Sequence, residues 1–153
     1  MNVDYKIEPV PSSKDQIKQP ELSKNLVIAP LGSSIIMIGK SGSGKTTLLY
    51  RLLMEEQFYN KNKYFKKIIL ISPSGESDDI QKALKIPESC IFTDLVEAVE
   101  ALKSIMNFQS DNIKKNGASK SSQFAVIFDD VIGNTKFMNS PQFTQAFIAC
   151  RHY

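Results

Sequence analysis

The stretch that most constrains this chain is residues 35–46, where Ile35-Ile36-Met37-Ile38 runs straight into Gly39-Lys40-Ser41-Gly42-Ser43-Gly44-Lys45-Thr46. A short continuous apolar run closed by a glycine-rich turn suits a strand buried on both faces. The turn matches the phosphate-loop pattern G-x-x-x-x-G-K-[ST] at every fixed position. Average composition would produce that match in on the order of 0.5% of chains of this length. From Lys45 to about Phe58, Leu48, Leu49, Leu52 and Leu53 recur at the spacing of one apolar helix face.

The residue types in the turn follow from the chemistry of holding a phosphate. Gly39, Gly42 and Gly44 let the backbone wrap so that its N–H groups face an anion with no Cβ in the way. The helix that starts near Lys45 aims its positive end at the same place. Lys45 is expected to reach the β- and γ-phosphates, and the Thr46 hydroxyl to ligate Mg²⁺. The expected nucleotide-contacting set is therefore Gly39, Lys40, Ser41, Gly42, Ser43, Gly44, Lys45, Thr46 and Thr47. Lys40 stands at a variable position of the pattern, and its side chain is read as solvated.

A second cluster is Phe124-Ala125-Val126-Ile127-Phe128-Asp129-Asp130, an apolar strand ending in two carboxylates. At the carboxyl end of a parallel strand these acids share a sheet edge with the phosphate loop. Asp129 is expected to hold the Mg²⁺ shell, and Asp130 to polarise the attacking water as the catalytic acid of the pair. Many hydrolases of this kind carry Glu at the second position; Asp keeps the chemistry. Asp130-Val131-Ile132-Gly133 also fits the D-x-x-G of GTPases. The guanine-reading Asn-Lys-x-Asp is missing, since Asn60-Lys61-Asn62-Lys63 lacks the Asp and lies in the wrong place.

Further elements alternate along the chain. Ile68 to Ile71 predicts a second buried strand, closed by Ser72-Pro73-Ser74-Gly75, and Cys90 to Phe92 a short third one. Asp94 and Glu97 have capping-box spacing ahead of Leu95, Val99, Leu102 and Met106, which predicts a helix. Lys114 to Ser122 reads as a polar loop. Ser140-Pro141 reads as an N-cap and first helical residue, with Phe143, Phe147 and Cys150 on one face. Strands alternating with helices imply an α/β fold, a parallel sheet with helices on its faces. Residues 1–32 hold four of the seven prolines and no periodicity, and read as a poorly ordered N-terminal extension. The folded domain is expected to span 33–153.

Composition excludes several classes. The longest apolar runs have four or five residues, far short of the about 20 a membrane helix needs, so no membrane partner is expected. The first 25 residues lack the apolar run of a secretory leader. Cys90, Cys150 and the single His lack metal-ligand spacing, and a reducing intracellular compartment is expected. A net charge of +3 permits a nucleic-acid partner without arguing for one. Lys61, Lys63, Lys66 and Lys67, with Lys114, Lys115 and Lys120, could touch DNA phosphates in a ring pore; they read first as solvated basic faces, because no aromatic residues interleave with them.

The phosphate loop, the paired-Asp strand and the closing Phe147-Ile148-Ala149-Cys150-Arg151-His152-Tyr153 together resemble the genome-packaging ATPases of large double-stranded DNA viruses. These are poxvirus-type members of the FtsK/HerA superfamily, found also in virophages. The Arg-His pair is the most family-specific piece, and the similarity covers roughly Leu31 to Tyr153. The resemblance implies a RecA/FtsK-like P-loop NTPase fold, a three-layer sandwich, using ATP and Mg²⁺. It implies a homo-oligomeric ring acting on double-stranded DNA with viral capsid components as partners, in a virus factory or virion. It also implies that Arg151 lies near the subunit boundary, where it is expected to act as an arginine finger. A further core strand follows the Arg-His region in such proteins, so the sequence is expected to be partial at its C-terminal end. The alternative class is a GTPase-type switch or small-molecule kinase unrelated to DNA.

Overall fold

The computed structural model describes residues 32–59, 64–74, 78–121 and 123–149. Residues 1–31 of the N-terminal extension, Lys61, Lys63, Cys150, Arg151 and His152 lie outside the described residues. The elements are α1 (Lys45–Met54), β1 (Phe65–Ile71), α2 (Asp78–Leu84), β2 (Ile91–Phe92), α3 (Leu95–Asn116), β3 (Gln123–Phe128), α4 (Thr135–Met138) and α5 (Pro141–Ala149). The three strands form one parallel sheet in the order β2-β1-β3. Helices flank it, α1 packing against α2 and α3 against α5. The mixed α/β class read from the alternation of elements is the one observed.

β1 occupies the centre, and its composition explains why. Ile68, Ile69, Leu70 and Ile71 are all buried, a run without alternation because both faces of the sheet are covered. Ile80 and Leu84 of α2, with Ala98 and Leu102 of α3, belong to the same core. Below the end of β3, the rings of Phe128, Phe137, Phe143 and Phe147 pack at centroid separations of 4.9 to 6.3 Å. Local caps agree with the sequence. Asp94 Oδ1 accepts from the Val96 and Glu97 backbone N–H groups at 2.7 and 3.0 Å, and Ser140 Oγ accepts from Phe143 N–H at 3.2 Å.

Three expectations are corrected. Ile35 to Ile38 forms no strand, and Ile35, Ile36 and Ile38 are 47%, 77% and 93% exposed. A strand needs a ladder partner as well as apolar residues, and this run pairs with none of the three strands. Leu48 is half-exposed on α1, whereas Leu49, Leu52 and Leu53 face the core. Lys114 and Lys115 belong to the last turn of α3 rather than to a loop, where they complement the helix dipole. α2 and α4 carry too few apolar positions to stand out by periodicity.

Candidate functional site

The carboxyl edge of the sheet gathers the candidate site. Gly42 and Gly44 have φ of +74° and +86°, the left-handed region where residues with a Cβ are strained. At Gly39 a Cβ would lie 2.5 Å from Ser43 Oγ, so that hydroxyl would have to turn away. Gly44 caps α1 without any side-chain hydrogen bond, and no acid occupies the first turn. The leading N–H groups of the helix therefore have no intrahelical partner and no competing anion from their own turn. Lys45 folds back over the loop, its Nζ donating to Gly39 O at 2.8 Å and Lys40 O at 3.0 Å. Thr46 is half-buried beside it, while Lys40, Ser41, Ser43 and Thr47 are exposed.

The acids stand at the end of β3. The Asp129 N–H donates to Ile71 O at 2.9 Å, extending the β1–β3 ladder by one bond. Asp129 is half-buried, and its carboxyl is pushed above the ordinary value, first by burial and then by the Asp130 charge beside it. The Lys45 ammonium is close enough to pull the same group partly back down. Residues far apart in sequence thus act on one carboxyl. Asp130 is exposed at φ +55°, a left-handed conformation that Asp tolerates better than most residues. Ser72, which the sequence marks only as part of a closing turn and not as a site residue, is fully buried at the same edge. Its N–H donates to Phe92 O at 2.9 Å and its Oγ lies 3.3 Å from Ser74 Oγ. A small polar residue directly after an apolar strand is the signal that could have found it.

The described residues form no cluster of three or more His, Cys, Asp or Glu able to hold a metal ion. The fold and this edge define an α/β protein with a glycine-rich, lysine-bearing loop facing an acidic strand end. The model for the poxvirus A32 protein matches residues 23–153, and the chain belongs to that family. An uncharacterized protein, 015R, of Frog virus 3 (isolate Goorha) is 29% identical over 122 residues, covering 80% of this chain. The aligned stretch is 35% of that relative's length, so the chain spans about a third of it. No solved structure matches the chain. Among the described residues no helix is long and apolar enough to cross a membrane.

Proposed function

We propose that this chain binds and hydrolyses ATP as part of a motor that moves double-stranded DNA during viral genome packaging. The observation that carries the reading is the meeting of Lys45 and Asp129, whose charges interact across the carboxyl edge of the sheet. Family membership supports the packaging role. In this reading the loop from Gly39 to Thr47 holds the phosphates, and Lys45 places a point charge on the β- and γ-phosphates.

Thr46 and Asp129 are the residues that would hold Mg²⁺. The donor set fits, because burial and Asp130 both disfavour the ionised Asp129, a penalty that a nearby cation relieves. Mg²⁺ is commonly bound by one or two carboxylates plus substrate phosphates rather than by a protein cage. When bound, Mg²⁺ supplies neutralisation of charge on the phosphate oxygens. Asp130, exposed beside Asp129, orients or deprotonates the attacking water.

The working unit in this reading is a ring of identical subunits, with capsid components as further partners. Arg151 reaches the neighbouring subunit's γ-phosphate, a role worth ~10³–10⁵ in rate where arginine fingers operate. Arg151→Ala subunits should be inactive alone and regain activity when mixed with Lys45→Ala subunits. Absence of recovery in rings shown to mix would assign Arg151 a structural role. The motor reading itself is tested by phosphate release from Mg·ATP and Mg·GTP, with and without duplex DNA. Preference for ATP and acceleration by DNA are expected. GTP preference with no response to DNA would favour a nucleotide switch.

A further inference from the structure

The opposite edge of the sheet carries a second basic feature assembled from residues distant in sequence. A cleft of about 240 Å³ opens beside the start of β1, lined by Lys66, Lys67, Lys85 and Ser89 over a floor that includes Leu84 and Ile86. No carboxylate lines it. All three lysines are exposed, and none pairs with an acid among the described residues.

Three details set the local geometry of these lysines. Phe65 pairs with Gln123 and Lys67 with Phe124, so Lys66 is an extra residue in β1, a bulge. Bulges re-aim side chains, and Lys66 and Lys67 both line the cleft. Lys85 has φ +50°, at the C′ position of α2. There the Ile86 N–H donates to Gln81 O at 3.1 Å and the Lys85 N–H to Lys82 O at 3.4 Å, the bonds of a Schellman ending. Glycine is the usual residue at that position, and a side chain on it is strained. The Lys66 Nζ sits 4.4 Å from the centroid of Phe108, a half-exposed ring held edge-on by Phe124 at 5.8 Å. The aromatic partner missing from the linear sequence is supplied by α3. Lys114, Lys115 and Lys120 lie at the end of α3 and in the turn leading to β3, adding to the charge of this edge.

We propose that this cleft seats the phosphodiester backbone of a nucleic acid, at the sheet edge opposite the nucleotide loop. The inference rests on the reading that the protein acts on DNA, and it names the residues that touch the polymer. Separate point charges on flexible stems along an open cleft suit a succession of phosphates. No glycine-rich cradle of backbone N–H groups, of the kind that selects one terminal phosphate, lines the cleft.

The test is fluorescence anisotropy of a labelled short DNA duplex with the whole chain, without nucleotide, across about 50 to 200 mM salt. The triple variant Lys66→Glu, Lys67→Glu, Lys85→Glu should lose at least about tenfold in affinity, and its log–log salt slope should flatten by about three. Lys→Arg changes at the same three positions should retain binding. Lys85→Gly should raise the thermal midpoint by relieving the left-handed strain, yet flatten the salt slope by about one. That variant keeps the test valid if the triple one does not fold. Wild-type affinity and slope in either charge-removing variant would overturn the assignment. So would equal competition by inorganic phosphate, or tighter binding of a labelled poly-glutamate peptide, which would point to an acidic protein segment. Phosphate release from ATP is measured separately, so the cleft can fail while the motor reading stands, and a wild-type chain that binds no duplex overturns the cleft outright.

Discussion

In the proposed reading the two edges of the sheet would meet phosphate by different means. At the carboxyl edge the proposed anion site is mostly backbone, with positive-φ glycines and the uncapped start of α1, and one lysine side chain folded over the loop. Two carboxylates face it, and their mutual repulsion and burial leave Asp129 reluctant to ionise. At the amino edge there are only side-chain charges, on a bulge, a helix ending and the turns before the strands. A parallel sheet sorts residues in this way because every strand starts on one side and ends on the other. The backbone cradle can select one phosphate group; the lysine edge can only attract a polyanion.

The comparison breaks most sharply at Asp130. Asp130→Asn should leave Mg·ATP binding intact and slow hydrolysis by about 10²–10⁴, the usual contribution of a positioned acid or base. Duplex binding at the lysine edge should stay at the wild-type level. Wild-type hydrolysis by this variant would place the water-activating group elsewhere.

A packing change sharpens the same contrast. Phe128 immediately precedes Asp129, and its ring contacts Phe137, Phe143 and Phe147. Phe128→Ala should cost about 3 kcal/mol in denaturant unfolding, at the low end for a buried ring because Phe128 is only partly covered. ATP affinity should fall more than duplex affinity. Equal losses at both edges would show that the sheet transmits the damage throughout.

The smallest effect concerns Asp129 and is a matter of sign. Its carboxyl titrates above the ordinary 3.8 in the folded chain, so the unfolded chain ionises first as pH rises. The folded state is therefore penalised at neutral pH, and the penalty vanishes below the unfolded value. Asp129→Asn should raise the thermal midpoint at neutral pH, with the gain fading as pH falls towards 3.8. A lowered midpoint at neutral pH, or a gain that persists in acid, would contradict the burial argument.

Much of the carboxyl edge was legible in the sequence because its pieces are contiguous. Gly39 to Thr46 carries its own pattern, and Phe124 to Asp130 announces a strand that ends in acids. The helix caps at Asp94 and Ser140 were legible for the same reason, since cap and recipient lie three residues apart. The run Ile35 to Ile38 has the composition of a strand but no ladder partner, and composition alone does not supply one. The lysine cleft was hidden more deeply. Lys66, Lys85 and Phe108 come from three elements, and neither a bulge nor a left-handed lysine leaves a mark on the residue pattern. Along the sequence Lys66, Lys67, Lys114, Lys115 and Lys120 read as solvated charge; the strand order gathers them at one edge of the sheet.

The central claim is that the carboxyl edge takes a nucleotide through Lys45, and the most direct measurement is the shift in thermal midpoint caused by Mg·ATP. The wild-type chain should be stabilised in a concentration-dependent way, by about 2.7 kcal/mol at a hundredfold excess over Kd. The Lys45→Ala chain, folded and still binding duplex DNA, should show no shift. An equal shift in the two chains would mean that the nucleotide, if bound at all, is held somewhere other than this loop.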